Sequence, residues 1–365
     1  MRFIPAPCLR GGMVCAKRIR GKNGELLLNK GARIQDSYIR RIRELGIIGI
    51  YIEDNLSEGI EFVDIITETQ RSNSVNTVKS LFENVSKGVP SSRSSIQQLR
   101  KTIDEIVETI INNKDLNVNL SDLKIYDDYT YFHSVNVGVL AILIATRMKL
   151  PNNRLSEIGM AAMLHDVGKV FVNKQILNKP GKLSDEEFSE MKSHSERGFE
   201  FLRFGFPSFS QDMLRAIMEH HERIDGNGYP ASKRSGQISE YARIISLVDV
   251  FDALTSDRPY RRALTPSDAI EYIMAESNKA FDPIITKFFL SCVMPYSPGT
   301  TVRLSNGWVG IVVRNNFEAS LRPLVRVIRH QVAELESDND FKPYEIDLLN
   351  DKTNLGITIL GHIDR

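Results

Sequence analysis

The sequence is poor in cysteine and in long apolar runs, and it has almost no net charge. Three cysteines among 365 residues, Cys8, Cys15 and Cys292, cannot build a disulfide framework. None stands in a CxxC pair, which argues against a zinc knuckle, and a reducing cytoplasm fits. The longest apolar run, Val135 to Ala145, contains Asn136 and Gly138. It falls short of the roughly 20 residues that span a bilayer, so it reads as a buried core helix and no membrane span is expected. The first ten residues, MRFIPAPCLR, lack an apolar h-region, so no signal peptide is expected. Lys plus Arg is 47 and Asp plus Glu is 46, a formal net charge of +1. Dedicated nucleic-acid binders usually carry a basic excess, so no DNA or RNA partner is expected.

What is present divides unevenly along the chain. At about 150 residues per domain, this length predicts two or three domains. Residues 1–43 hold eleven basic side chains against two acidic ones, Glu25 and Asp36, so the rest of the chain is acidic on balance. The plain reading of that excess is a solvated face; the sharper one is an anionic partner. Turn signals at Gly11-Gly12, Gly21–Gly24 and Gly31, a short helix over Asp36–Leu45 and a strand over Ile47–Glu53 make residues 1–62 a small α+β module, read as regulatory. Residues 63–119 read as a helical linker region. Within it, SKGVPSSRSS at 86–95 is loop-like. Ile96, Leu99, Ile103, Ile106, Val107 and Ile110 then recur at helical spacing. That amphipathic helix could pack on the next domain or join two chains in a homodimer.

Residues 120–296 are almost wholly helical in pattern. Ser184 with Glu187 predicts a capping box opening a helix to about Phe204. Thr265-Pro266 and Asp282-Pro283 predict two more starts. Residues 297–365 are β-rich, with strands over 300–304, 309–313, 324–328 and 356–360 separated by Asn-Gly and Asn-Asn turns. The fold class is therefore mainly α: a helical catalytic bundle flanked by a small α+β module and a small β-rich domain.

Five of the seven histidines fall in the helical region. His165 is followed at once by Asp166, an imidazole and a carboxylate suited to iron, manganese, nickel or zinc. On a helix the two point about 100° apart, and Lys169 lies one turn beyond His165. A buried lysine there is costly unless it faces an anion. His220-His221-Glu222 runs into a tight loop, Asp225 to Pro230, that carries Tyr229. Asp249 stands among Ile245, Leu247, Val248 and Phe251, where a carboxylate needs a cation or strong donors. Alone, each of these has a structural explanation.

Together, HDVGK at 165–169, HHERIDGNGYP at 220–230 and DVFDALTSDRPYR at 249–261 resemble the HD-GYP subfamily of HD-domain phosphohydrolases. The resemblance covers about residues 120–295. It implies a helical bundle that hydrolyses cyclic di-GMP to linear pGpG and, in some members, on to GMP. It implies two divalent metal ions, iron or manganese, held by His133, His165, Asp166, His194, His220, His221 and Asp249, with Asp166 bridging and a metal-bridging hydroxide as nucleophile. Lys169, Arg258 and Arg261 would hold phosphate oxygens and Tyr229 would line the substrate pocket. Some members bind a third metal through a glutamate four residues before the first histidine. Here that residue is Tyr129, and Asp127 and Asp128 point elsewhere on a helix, so two metals are expected and hydrolysis is expected to stop mainly at pGpG. The alternatives are a preference for another cyclic dinucleotide such as cyclic GMP-AMP, or a catalytically silent nucleotide-binding signalling module.

Overall fold

A computed structural model describes every residue except 21–25, 46, 48, 62–64, 88–92, 114–117, 120–128, 257–262, 317–318, 331–340 and 364–365. The Gly21–Gly24 turn and much of the 86–95 loop therefore lie outside the described residues. The chain forms two compact units. One comprises Met1–Asp64, Asn119–Asp127 and Val293–Arg365, the other Ile65–Val118 and Asp128–Cys292.

The first unit opens with β1 (Arg2–Pro5), β2 (Val14–Cys15), β3 (Ile19–Arg20), β4 (Leu26–Leu28), α1 (Asp36–Glu44) and β5 (Gly49–Glu53). An antiparallel sheet runs in the order β1-β5-β2. Ile39 and Ile42, one turn apart on α1, are buried in one core with Ile4, Leu9, Ile34, Ile50 and Ile52. Arg40, Arg41 and Arg43 of α1 are exposed, as the plain reading of the basic excess expects.

The second unit is helical: α2 (Glu68–Ser86), α3 (Arg93–Asn112), α4 (Tyr129–Arg147), α5 (Asn152–Leu164), α6 (Lys174–Leu177), α7 (Asp185–Lys192), α8 (His194–Gly205), α9 (Gln211–Glu219), α10 (Glu240–Thr255), α11 (Pro266–Ala275) and α12 (Pro283–Cys292). Short strands β6 (Val118–Asn119) and β7 (Val293–Met294) flank its ends in sequence. The apolar run sits on α4, which packs against α2, α3, α5, α10 and α12. A helix surrounded in this way is apolar on all sides, and Val135, Val137 and Val139 through Ala145 are all buried. The amphipathic helix is α3. Its apolar residues from Ile96 to Ile110 are buried against α2, α4 and α5. Among the described residues no helix is long and apolar enough to cross a membrane.

Local signals place the helix starts. Ser184 and Glu187 form the expected capping box on α7, and Thr265 caps α11 with Pro266 at its first turn. Asp282 Oδ1 accepts from the Ile284 N–H at 2.8 Å to open α12. One expectation is corrected. The helix from Ser184 to about Phe204 is two helices, α7 and α8, broken at Ser193. The Ser193 hydroxyl donates to the Glu190 carbonyl at 2.6 Å, a local bond that competes with continuing the helix. The break starts a new helix at His194.

The tail returns to the first unit as β8 (Thr301–Leu304), β9 (Val309–Arg314), β10 (Leu324–Arg329), β11 (Tyr344–Asp347) and β12 (Ile359–His362), in the sheet order β11-β10-β9-β8-β12. β11 is a strand that periodicity did not reveal. Side chains alternate along β10: Val325 and Val327 enter the core, while Arg326 pairs with Glu345 opposite it at 2.8 Å. Arg326 also donates to the Leu56 and Glu58 carbonyls, and the Phe3 N–H donates to the Gly299 carbonyl at 2.9 Å. The 1–62 and 297–365 segments, from opposite ends of the sequence, thus meet within one unit. Gly299 permits this approach: at φ 83° its Cβ would lie 2.7 Å from the Met1 carbonyl oxygen.

Candidate metal centre

Elements far apart in sequence bring seven predicted side chains together. α4 carries His133, α8 opens on His194, and α10 carries Asp249. His165 and His220 stand at the C-terminal caps of α5 and α9, with Asp166 and His221 next in the chain. The HD pair is therefore at a helix end, where the backbone turns into a short 3-10 stretch over Val167–Phe171. Lys169 lies on that stretch rather than one turn along a helix shared with His165. Its Nζ donates to Asp166 Oδ2 at 2.5 Å.

Among the described residues the donor atoms form two groups, each able to hold one cation: Asp166, His194, His220 and His221; and His133, His165 and Asp249. Asp166 lies between them. Its Oδ2 is 3.4 Å from His165 Nε2 and 3.8 Å from His133 Nε2, while its Oδ1 is 3.5 Å from His194 Nε2. Asp249 Oδ1 is 3.1 Å from His133 Nε2, and Oδ2 is 3.8 Å from His221 Nδ1.

The outer nitrogens set the protonation of the inner ones. Nδ1 of His165, His194 and His220 each lies 2.7 Å from the carbonyl three residues earlier, on Ala162, Met191 and Ile217. A carbonyl only accepts, so each Nδ1 carries the proton and each neutral Nε2 presents a lone pair inward. His194 Nε2 and His220 Nε2 then face each other at 3.2 Å with no proton between them. His165 Nε2 and Asp166 Oδ1 are buried with no hydrogen-bond partner. Buried lone pairs converging without donors are unfavourable unless a cation joins them, so these residues fit divalent metal ions.

The titration shifts agree with that donor set. Burial holds His194 and His220 below the usual imidazole range and pulls His221 down to about 3, which keeps these rings neutral. Burial would raise Asp166, but its electrostatic interactions with the neighbouring His165 ring and the Lys169 ammonium outweigh it and the carboxyl stays well below its ordinary range. For Asp249, hydrogen bonding and charge from His133 likewise outweigh burial and lower its pKa. His133 differs: burial lowers it, yet hydrogen bonds to Asp249 and Asp252 push it up to about 9. A cation on Nε2 would take the place of that proton.

The surrounding shell contains residues whose roles the sequence did not disclose. Asp252, one turn beyond Asp249, accepts from His133 Nδ1 at 2.7 Å and from Asn136 Nδ2 at 3.1 Å, and Arg71 holds Asn136 at 2.8 Å. The three-residue spacing on α10 was the available signal, because both carboxylates then share a face. Glu222 is buried and accepts from the Ala231 and Lys233 N–H groups at 2.7 and 2.9 Å, tying down the loop that bears Tyr229. Glu219 does the same for the start of α10 through the Ser239 N–H at 2.7 Å. Asp252→Asn removes the anionic orienter of His133. We expect metal affinity to fall by roughly 10- to 100-fold. Competition against a chromophoric chelator measures this, and an unchanged affinity would remove Asp252 from the centre.

The Tyr229 ring lies 4.6 Å from His221, and the Tyr229 N–H donates to the His221 carbonyl at 3.2 Å. Gly228 makes this fold-back possible, since a Cβ there would lie 2.4 Å from the Arg223 nitrogen. Burial and the nearby Asp249 and Asp166 raise the Tyr229 phenol, so it stays neutral. Arg258, Arg261, Asp127 and Asp128 lie outside the described residues, as does the side chain of Tyr129.

A helical bundle closed around paired His/Asp ligand sets defines a protein of the HD-domain class. Residues 105–285 match the HD domain family, and residues 301–358 match a KOW domain associated with HD domains. Residues 105–285 therefore belong to the HD-domain family, and Gly228-Tyr229-Pro230 matches the motif that gives the HD-GYP subfamily its name. The chain is 40% identical over 225 residues to a cyclic di-GMP phosphodiesterase of Pseudomonas aeruginosa, covering 62% of this chain and 54% of that one. It is 41% identical over 144 residues to the cyclic di-GMP phosphodiesterase response regulator RpfG of Xanthomonas campestris, covering 40% and 38%. The 3'3'-cGAMP-specific phosphodiesterase 3 of Vibrio cholerae is 36% identical over 155 residues, covering 42% and 33%. The chain thus spans about half or less of the length of these relatives. The structure of Bd1817, a HDG"Y"P protein from Bdellovibrio bacteriovorus, superposes with a TM-score of 0.51 at 18% identity, covering 79% of this chain and 97% of that one, which shows a shared fold.

Proposed function

We propose that this chain is a metal-dependent phosphodiesterase that hydrolyses cyclic di-GMP to pGpG. The observation that carries the reading is Asp166, whose two oxygens face two separate ligand groups, the arrangement a bridging carboxylate needs. Two divalent cations, iron or manganese, would be held by His133, His165 and Asp249 on one side and His194, His220 and His221 on the other. When bound, such a pair activates water at neutral pH and neutralises charge on an attacked phosphate.

The chain's own groups do the rest. The carbonyl-anchored histidines keep their lone pairs aimed inward without reorganisation. Lys169, at the rim of the centre, would exchange Asp166 for a non-bridging phosphate oxygen and stabilise developing charge there. Tyr229 would line the pocket as a neutral phenol. The resemblance assigns Arg258 and Arg261 to the nucleotide phosphates. A homodimer would need a surface other than the apolar face of α3, which is buried within its own unit.

Anaerobic purification, metal analysis and a cyclic di-GMP assay on the same sample test the proposal. The expected result is about two metals per chain with pGpG as the main product. Close to three metals, all required for activity, would overturn the two-metal reading. No cleavage by the iron- or manganese-loaded protein would overturn the phosphodiesterase reading. Relatives named as cyclic GMP-AMP-specific favour a second reading of the same chemistry, and side-by-side turnover of the two dinucleotides decides between them.

A further inference from the structure

α7 carries two side chains that the metal centre does not use. Phe188 is 48% exposed, yet its ring lies 6.5 Å edge-on from Tyr229, which itself packs on His221. Lys192, one turn further along α7, holds its Nζ 5.1 Å from the Phe188 ring centre and 6.0 Å from that of Tyr229. An aromatic ledge with a cation above it therefore leads outward from a metal ligand. The ledge is held in place: the capping box fixes the start of α7, and Lys179 Nζ donates to both Glu187 oxygens at 2.8 and 2.7 Å.

We propose that Phe188 and Lys192 form the base-binding subsite for one guanine of the substrate, with Phe188 as stacking platform and Lys192 as reader of the base edge. The proposal rests on the phosphodiesterase reading above and assigns its substrate specificity. A phosphodiester positioned at the centre leaves its bases outside the ligand shell, and the ledge supplies a flat apolar face adjoining that shell. Every purine has a π-face that can stack on phenylalanine. Guanine also presents two acceptors, O6 and N7, on one edge. Adenine replaces O6 with an amino donor, which a lysine ammonium cannot pair with. An exposed cation–π contact is weak, so Lys192 can readily leave the ring face for that edge.

The test uses the manganese-loaded full chain and the variants Phe188→Ala, Phe188→Trp and Lys192→Met. Binding is read with a cleavage-resistant phosphorothioate analogue of cyclic di-GMP, and turnover with cyclic di-GMP, cyclic di-AMP and bis(p-nitrophenyl) phosphate, which has no purine. Phe188→Ala should weaken analogue binding and raise KM for cyclic di-GMP by roughly tenfold or more, with kcat held. Phe188→Trp should restore both. Lys192→Met should reduce the preference for cyclic di-GMP over cyclic di-AMP by roughly tenfold. Turnover of bis(p-nitrophenyl) phosphate should be unchanged throughout. Unchanged analogue binding in Phe188→Ala, or an equal loss with the purine-free diester, overturns the subsite. Phe188-dependent binding without cleavage of any dinucleotide overturns the phosphodiesterase reading and leaves the subsite standing. Normal cleavage with an unaltered KM in Phe188→Ala does the reverse, and no binding by the unaltered chain overturns both.

Discussion

Asp166→Asn is expected to lower cyclic di-GMP turnover by roughly 10³-fold or more, a barrier increase of about 4 kcal/mol. The substitution keeps size and shape but replaces one oxygen with an amide donor and removes the negative charge. Asp166 is the carboxylate that faces both ligand groups, so either orientation of the amide turns NH2 toward one of them. Lys169 also loses its anionic partner and is left as an uncompensated cation beside the centre. His165→Ala should be similarly inactive, because it removes one of three donors from the other group. Metal content and circular dichroism on the same preparations separate loss of metal from loss of fold. Turnover within tenfold of the unaltered protein in both variants would count decisively against the assignment.

Gly168→Ala, one methyl group, is expected to damage both fold and activity. A Cβ at Gly168 would lie 1.9 Å from the His194 carbonyl oxygen and 2.7 Å from the Gly198 nitrogen. Both obstacles are backbone, so no side chain can swing aside to relieve the clash. Overpacking of this kind costs about 1–3 kcal/mol or more, which lowers Tm by several degrees in a unit of this size. The contact also joins Asp166, two residues earlier, to His194 at the start of α8. Pushing the two apart separates ligands of one group, and misplacement by about 1 Å at a reacting centre costs roughly 10²-fold in rate. Gly205→Ala is the control, since nothing lies within 4 Å of its Cβ position. Equal Tm and turnover for the two variants would show that the 168–194 approach is not a constraint.

Much of the centre was legible because its chemistry is carried by residue types in short strings. HDVGK, the paired histidines before GYP, and a carboxylate in the apolar stretch at Asp249 each have a structural explanation alone, but together and in that order they conflict with a bland core reading. Helix starts were legible for a related reason: Ser184, Thr265 and Asp282 cap helices through bonds spanning two or three residues. Less was visible where partners are far apart in the chain. Asp252 shares a face with Asp249, but its role as the partner of His133 shows only when that ring arrives from 119 positions away. The loop-holding roles of Glu219 and Glu222 were hidden, because the Ser239, Ala231 and Lys233 backbone N–H groups that they accept from lie across a loop and carry no side-chain signature.

The sequence by itself determined the donor types, their order, and the helices that carry them, since these depend on residue identity and on interactions within one or two turns. Only the tertiary structure decided the rest. It turned Nδ1 of His165, His194 and His220 to carbonyls so that their lone pairs converge, and set Asp166 between two groups of donor atoms. It placed Phe188 and Lys192 beside Tyr229, and joined the two ends of the chain in one unit. These outcomes depend on which surfaces meet when elements pack. Packing compares positions that are distant in the chain, a relation that local periodicity and spacing do not encode.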